Sequence, residues 1–157
     1  MPLKNYTTEI SAMKSIGEIQ GILVAHGAKT ILIDYNPDRE PESMSFIVPT
    51  THGEFPFRLP ANVKGVETIL LNMRARVPES WRSDYKKTMD RIHKQATRVA
   101  WRIIKDWVDA QLAIIETEMV TIEQVFLPYM LVKGGQYTLY EVLANRGFYL
   151  EDGKGSI

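Results

Sequence analysis

The chain has 157 residues, in which 19 Lys and Arg balance 19 Asp and Glu, and it contains no cysteine. This length fits one domain, and the lack of cysteine excludes a disulfide scaffold and a zinc site built on thiolates. The N-terminus lacks the apolar core of a signal peptide, and no apolar run approaches the roughly 18 residues of a membrane span. We expect a single domain over residues 1–150 with a flexible tail over 151–157, in a soluble cytoplasmic protein that has no membrane partner.

The first part of the chain predicts a strand and then a helix. Alternation over residues 6–10 is typical of a short strand. Ser15, with Glu18 three residues later, has the spacing of a capping box at the start of a helix, and Gly27 stands where a left-handed C-terminal cap would end it.

Three β-rich runs come next, over residues 30–35, 44–48 and 54–57. Short polar connections between them predict an antiparallel meander. Because proline cannot donate a ladder hydrogen bond, Pro56 places the last strand at an edge or a bulge of the sheet.

The rest of the chain is predicted to be helical. A short helix is expected near residues 63–73, and a long one over 80–118, a stretch without Gly or Pro. Two further short helices begin at Thr121 and Thr138, and Gly147 ends the second. The predicted fold class is α+β: a three- to four-stranded antiparallel sheet in β-α-β-β-β-α order, packed on one long amphipathic helix and followed by short C-terminal helices.

The long helix has two different faces at about 100° per residue. One face is apolar and is predicted to be core: Tyr85, Met89, Ile92, Ala96, Val99, Ile103, Trp107, Ala110 and Ile114. About 140° away lies a narrow row of cations, here called the basic stripe: Lys87, Arg91, Lys94, Arg98, Arg102 and Lys105.

The neutral total charge hides a strong asymmetry. Residues 74–105 contain ten cations and three anions, and the remaining anions lie outside that range. A row of Lys and Arg on a rigid face can neutralise several phosphates at once, which indicates a nucleic-acid or other polyanion partner. Two alternatives remain open: an ordinary solvated helix face, and a surface that binds acidic parts of another protein or of a second copy.

Two further residues are candidates for the same interface. Trp101 flanks the basic stripe, where an indole could stack on an unpaired base, although partial burial is the alternative. Arg58 follows the last strand and could line a groove between the hairpin and the long helix, although a surface ion pair is the alternative.

No signature of an enzyme is present in the sequence. His26, His52 and His93 are scattered and lack the spacing of a metal site, and no serine lies in a nucleophile elbow. We therefore expect a non-enzymatic protein with no metal and no cofactor.

Four segments resemble a family of small, largely uncharacterised proteins of bacteriophage and prophage genomes: SIGEIQGILVAHGAKTILIDY, FRLPANVKGV, RVAWRIIKDWVDAQLAIIE and VFLPYM. The resemblance covers residues 5–147. It implies a role in phage biology in the cytoplasm of the bacterial host, and it supplies no catalytic residues.

The strand-strand-strand-helix order is also similar to the core of phage single-strand annealing proteins, which hold single-stranded DNA in a groove between hairpin and helix and form oligomers. Our hypothesis is therefore a homo-oligomeric phage protein that binds, and could anneal, single-stranded DNA through the basic stripe, Trp101 and Arg58. The alternative is a non-enzymatic virion or host-takeover protein whose basic stripe docks on an acidic protein surface.

Overall fold

The computed structural model describes residues 2–74 and 85–148, and within α3 the side chains from Thr88 onward. Helices and strands occur in this order: α1 (Ala12–Ala25), β1 (Thr30–Tyr35), β2 (Pro41–Thr50), β3 (Gly53–Pro60), α2 (Val63–Arg74), α3 (Tyr85–Glu116), α4 (Ile122–Phe126), β4 (Leu131–Val132), β5 (Tyr137–Thr138) and α5 (Leu139–Asn145). Short 3-10 turns at Leu127–Tyr129 and Lys133–Gly135 flank β4. The predicted start of the long helix and the predicted tail lie outside the described residues.

The N-terminal segment differs from the prediction. The expected strand over residues 6–10 is absent from the structure, because the segment folds as a turn in which Asn5 has a φ of 61° and the Tyr6 and Thr8 amides bond to nearby carbonyls. α1 begins at Ala12 rather than near Ser15, because the Ser11 hydroxyl accepts the Lys14 amide hydrogen bond at 3.1 Å.

The sheet confirms the predicted meander. Its order is β1-β2-β3 with both pairs antiparallel, and Phe46 of β2 lies opposite Ile31 of β1 and Phe57 of β3. Pro56 lies in β3, at an edge of this sheet, as expected. Alternation places Phe46, Phe57 and Leu59 in the core and the intervening residues on the opposite face.

α3 packs against the rest of the domain on two sides, where the sequence predicts one. On the predicted apolar side, a buried cluster joins Ala96 and Val99 to Val66 of α2. About 160° around the helix, Trp101 and Val108 pack with α1 and the sheet in the larger core cluster.

The predicted apolar face is therefore wrong toward its C-terminal end. Ala110 is exposed and Ile114 is 38% exposed, whereas Leu112, which the pattern did not assign to the core, is buried. Because the sheet and α1 cover the other side of α3 there, the buried side of the helix changes along its length.

The C-terminal segment closes the end of the core. Thr121 and Gln124 form the predicted capping box, and Phe126 enters the core, with its ring centroid 5.6 Å from those of Phe46 and Trp107. Thr138 caps α5 as predicted.

The architecture is thus α+β: a three-stranded antiparallel sheet packed on one long helix, with short C-terminal helices. In the part of the chain that the structure describes, no helix combines the length and apolarity needed to cross a bilayer.

Candidate nucleic-acid interface

The basic stripe is divided into two halves by its surroundings. In the C-terminal half, Arg102 Nη1 donates to Glu18 Oε2 of α1 at 2.5 Å. Lys105 Nζ lies 3.5 Å from Asp109 Oδ2 and 3.8 Å from Asp106 Oδ1. The side chains of Arg102 and Lys105 are each only 17% exposed, so carboxylates of the same chain already neutralise this half.

In the N-terminal half of the stripe, two residues face solvent. Arg91 and Lys94 are exposed, and none of the carboxylates in residues 2–74 and 88–148 lies within ion-pair distance of either. Arg98 donates twice to the neutral Gln95 side chain, from Nε at 2.9 Å and from Nη2 at 2.6 Å. The positive charge of these three residues is therefore not balanced by the described acidic residues. The Lys87 side chain lies outside the described part.

A groove of about 540 Å³ adjoins this half of the stripe at Arg91. The C-terminal turns of α2, the N-terminal part of α3 and the N-terminal segment line it with Tyr6, Leu70, Met73, Arg74, Arg91, Ile92 and Gln95. Its lining is mainly apolar and includes two arginines, a combination that suits a ligand with both flat apolar groups and anionic groups.

The N-terminal segment is tied to α3 by side-chain hydrogen bonds on both sides of Tyr6. Gln95 Nε2 donates to the carbonyl oxygens of Tyr6 and Thr8, both at 2.9 Å. Asn5 Nδ2 donates to Asp106 Oδ2 at 2.8 Å, and this bond lowers the pKa of Asp106 below its usual value. Tyr6, which is 39% exposed, is thereby held at the groove.

Trp101 does not belong to this surface, so the predicted base-stacking role is wrong. The side chain is fully buried, and its Nε1 donates to the Pro41 carbonyl at 3.1 Å. Trp101 faces the sheet and α1 because α3 has a second buried side, which single-face periodicity does not reveal.

Arg58 is also placed away from the groove. Its β3 neighbours Phe57 and Leu59 point into the core, so Arg58 lies on the sheet face opposite α3. There Arg58 Nη2 donates to the Gln136 carbonyl at 3.3 Å and lies 3.8 Å from Glu141 Oε1. Arg58 therefore matches the alternative interpretation, an arginine in a surface ion pair.

A histidine cluster that the sequence did not indicate joins α3, α2 and the loop between β1 and β2. His93 of α3 donates from Nε2 to Glu40, 2.7 Å from Oε2, and from Nδ1 to Glu67 of α2. The Thr97 hydroxyl also donates to Glu40, at 3.3 Å. The bond to Glu67 and then the bond to Glu40 raise the pKa of His93 above its usual value.

This cluster has a structural role in the arrangement of the groove, because it links α2 to α3 within one helical turn of groove residues on both helices. No sequence signal could have found it, since Glu40, Glu67 and His93 lie 26 or more positions apart. Within residues 2–74 and 88–148, no group of three or more His, Asp or Glu side chains is placed to hold a metal ion.

The comparisons with known proteins add no relative. No protein-family model, no curated protein and no solved structure matches this chain.

Proposed function

We propose that this protein binds single-stranded nucleic acid, with DNA favoured, along the groove between α2, α3 and the N-terminal segment. The observation that carries the proposal is the charge of Arg91 and Lys94, which no described acidic residue balances, beside an apolar groove that is lined in part by the exposed Tyr6. Phosphates would contact the cations, while a base stacks on Tyr6.

The shape of the groove favours a single strand over a duplex. Leu70, Met73 and Ile92 form apolar surface next to the arginines. A duplex presents phosphates and stacked, paired bases, so it would leave this apolar surface unused. A single strand can turn a base into the groove and keep its backbone against Arg91 and Lys94.

The proposal is a binding function and not a catalytic one. Neutralising phosphate repulsion while leaving other bases accessible would also promote pairing with a complementary strand, so annealing is included in the proposal. The resemblance to phage and prophage proteins supports a place for this function in the cytoplasm of a bacterial host.

Fluorescence anisotropy with labelled single-stranded and duplex DNA, titrated at several salt concentrations, tests the proposal. We expect binding that prefers the single strand and weakens steeply with salt. Reversing both exposed cations, Arg91→Glu with Lys94→Glu, should abolish measurable binding at moderate salt. Neutralising both instead, Arg91→Gln with Lys94→Gln, should reduce the slope of log affinity against log salt by about 1.4, the value for two lost single-strand phosphate contacts.

A matched control separates this site from a general charge effect. Lys133→Glu with Arg146→Glu makes the same change in net charge at two exposed cations that do not line the groove. That control should bind nearly as well as the wild type. Equal losses in the two reversal variants, or no binding by the wild type at low salt, would reject the proposal.

A second candidate function, docking on an acidic protein surface, is favoured by one observation. Within this chain, the other half of the stripe already meets carboxylates, as in the Arg102 contact with Glu18. Binding to an acidic polypeptide such as polyglutamate, together with no affinity for nucleic acid at low salt, would support this second function.

A further inference from the structure

The outer edge of β1 is open in the described part of the chain. The sheet order places β1 at one edge, and among residues 2–74 and 85–148 it pairs with β2 alone. Leu32 is 57% exposed, and Ile31 and Ile33 are half-buried. The strand thus presents backbone donors, backbone acceptors and aliphatic side chains on the same edge.

The two edge strands of the sheet differ in their prolines and in their contacts. β3, at the other edge, contains Pro56 and Pro60, and its Phe57 forms a bridge with Met130. β1 contains no proline and no lysine. Its single charge is Asp34, and one oxygen of that carboxylate already accepts the Ser43 hydroxyl at 2.9 Å. Natural edge strands usually carry charges, prolines or bulges that prevent pairing, and β1 has only an irregularity between its last two residues.

We propose that β1 pairs antiparallel with β1 of a second copy of this chain, around a two-fold axis at Leu32. The order of residues in the strand is self-complementary about this position. Leu32 would lie opposite Leu32 of the second copy, Ile31 opposite its Ile33, and Thr30 opposite its Asp34. The Thr30 hydroxyl could then donate to the Asp34 oxygen that Ser43 does not use.

Charge and topology favour a second copy over another partner. The chain has no formal net charge, so two copies do not repel each other through their totals. The edge itself has no cation to attract an acidic peptide, and its single anion is matched by Thr30. Because the prolines of β3 block the other edge, pairing through β1 closes at two copies and does not continue into a filament.

This inference is independent of the nucleic-acid proposal, because β1 contributes no residue to the groove. Sedimentation velocity over a concentration series should show a monomer–dimer equilibrium. Leu32→Lys places like charges opposite each other and should weaken the dimer by roughly tenfold or more. The control Val24→Lys, at a 59% exposed position of α1, should leave the dimer unchanged.

Crosslinking of single-cysteine variants gives a test that does not depend on whether the fold tolerates a lysine at position 32. Because the chain has no cysteine, Leu32→Cys introduces a single thiol in each copy. Cβ atoms opposite each other in an antiparallel pair are about 4.5–5.5 Å apart, so mild oxidation or a short bis-maleimide should link two copies. Val24→Cys should crosslink much more slowly.

Three results would overturn the inference. The first is a protein that sediments as a monomer at all concentrations. The second is a dimer whose stability Leu32→Lys does not change, although circular dichroism shows that the variant is folded. The third is crosslinking of Leu32→Cys that is no faster than that of Val24→Cys.

Discussion

His93 predicts an unusual pH dependence of stability. Both of its ring nitrogens face carboxylates, so both contacts are hydrogen bonds only when the imidazole is doubly protonated. The pKa of His93 is raised above its ordinary value of 6.5. A raised pKa in the folded state stabilises the fold fully below about pH 6.5, and this contribution is lost as the pH rises through the raised value.

The size of the contribution follows from two charge-assisted hydrogen bonds that are partly exposed to water. The His93 side chain is 41% exposed, against 28% for Glu40 and 24% for Glu67. A charge-assisted bond contributes about 1.5–3 kcal/mol when protected, and an exposed ion pair about 0.2–1 kcal/mol. With this exposure we expect about 1–2 kcal/mol for the two contacts together, or roughly 2–8 °C in melting temperature for a chain of this size.

The assay is urea unfolding of the wild type and His93→Gln at pH 5.5 and at pH 9. At pH 5.5 the variant should be less stable by about 1–2 kcal/mol, and at pH 9 the difference should shrink by most of that amount. His52→Gln is the control, because His52 is 79% exposed and its nearest carboxylate is 3.4 Å away. It should change stability by no more than about 0.5 kcal/mol at either pH.

A stability difference of the same size at both pH values would refute this reasoning. It would show that His93 contributes by packing and by neutral hydrogen bonds, and that its charge has no role. Removal of the contacts should also weaken the link between α2 and α3, which amide hydrogen exchange in Glu67 and its α2 neighbours can measure.

Two further predictions concern residues whose roles the structure defines. Trp101→Phe loses the hydrogen bond to Pro41 and leaves a cavity, so the free energy of unfolding should fall by about 2–4 kcal/mol. The folded variant should keep its nucleic-acid affinity. Loss of affinity at full stability would contradict the buried role of Trp101. A backbone hydrogen bond and then bonds from Thr51 lower the pKa of Glu123 from 4.5 to about 2. This partly exposed carboxylate therefore stabilises the fold above pH 4.5. In urea unfolding, Glu123→Gln should lower the free energy of unfolding by about 1 kcal/mol at pH 7 and by almost nothing near pH 2. An equal loss at both pH values would exclude a role for the charge.

The fold could be predicted largely because its signals are local. Thr121 and Gln124 cap a helix through residues three positions apart, and the β-branched and apolar residues over 30–35 predict a strand through their own preferences. The wrong predictions near Tyr6 and Ser15 have the same origin. A weak alternation and a chance capping pattern were outweighed by Ser11, another local cap, and by the attachment of the N-terminal segment to Gln95.

The candidate site could be predicted only in part, because its availability depends on contacts between distant positions. The sequence by itself determined that α3 carries a row of cations on one side and that this charge is concentrated in one region. Only the tertiary structure decided which cations the described carboxylates neutralise: Arg102 meets Glu18, 84 positions away, while Arg91 faces solvent. It also decided that Trp101 is core, since a helix covered on two sides buries residues that one-sided periodicity assigns to its surface.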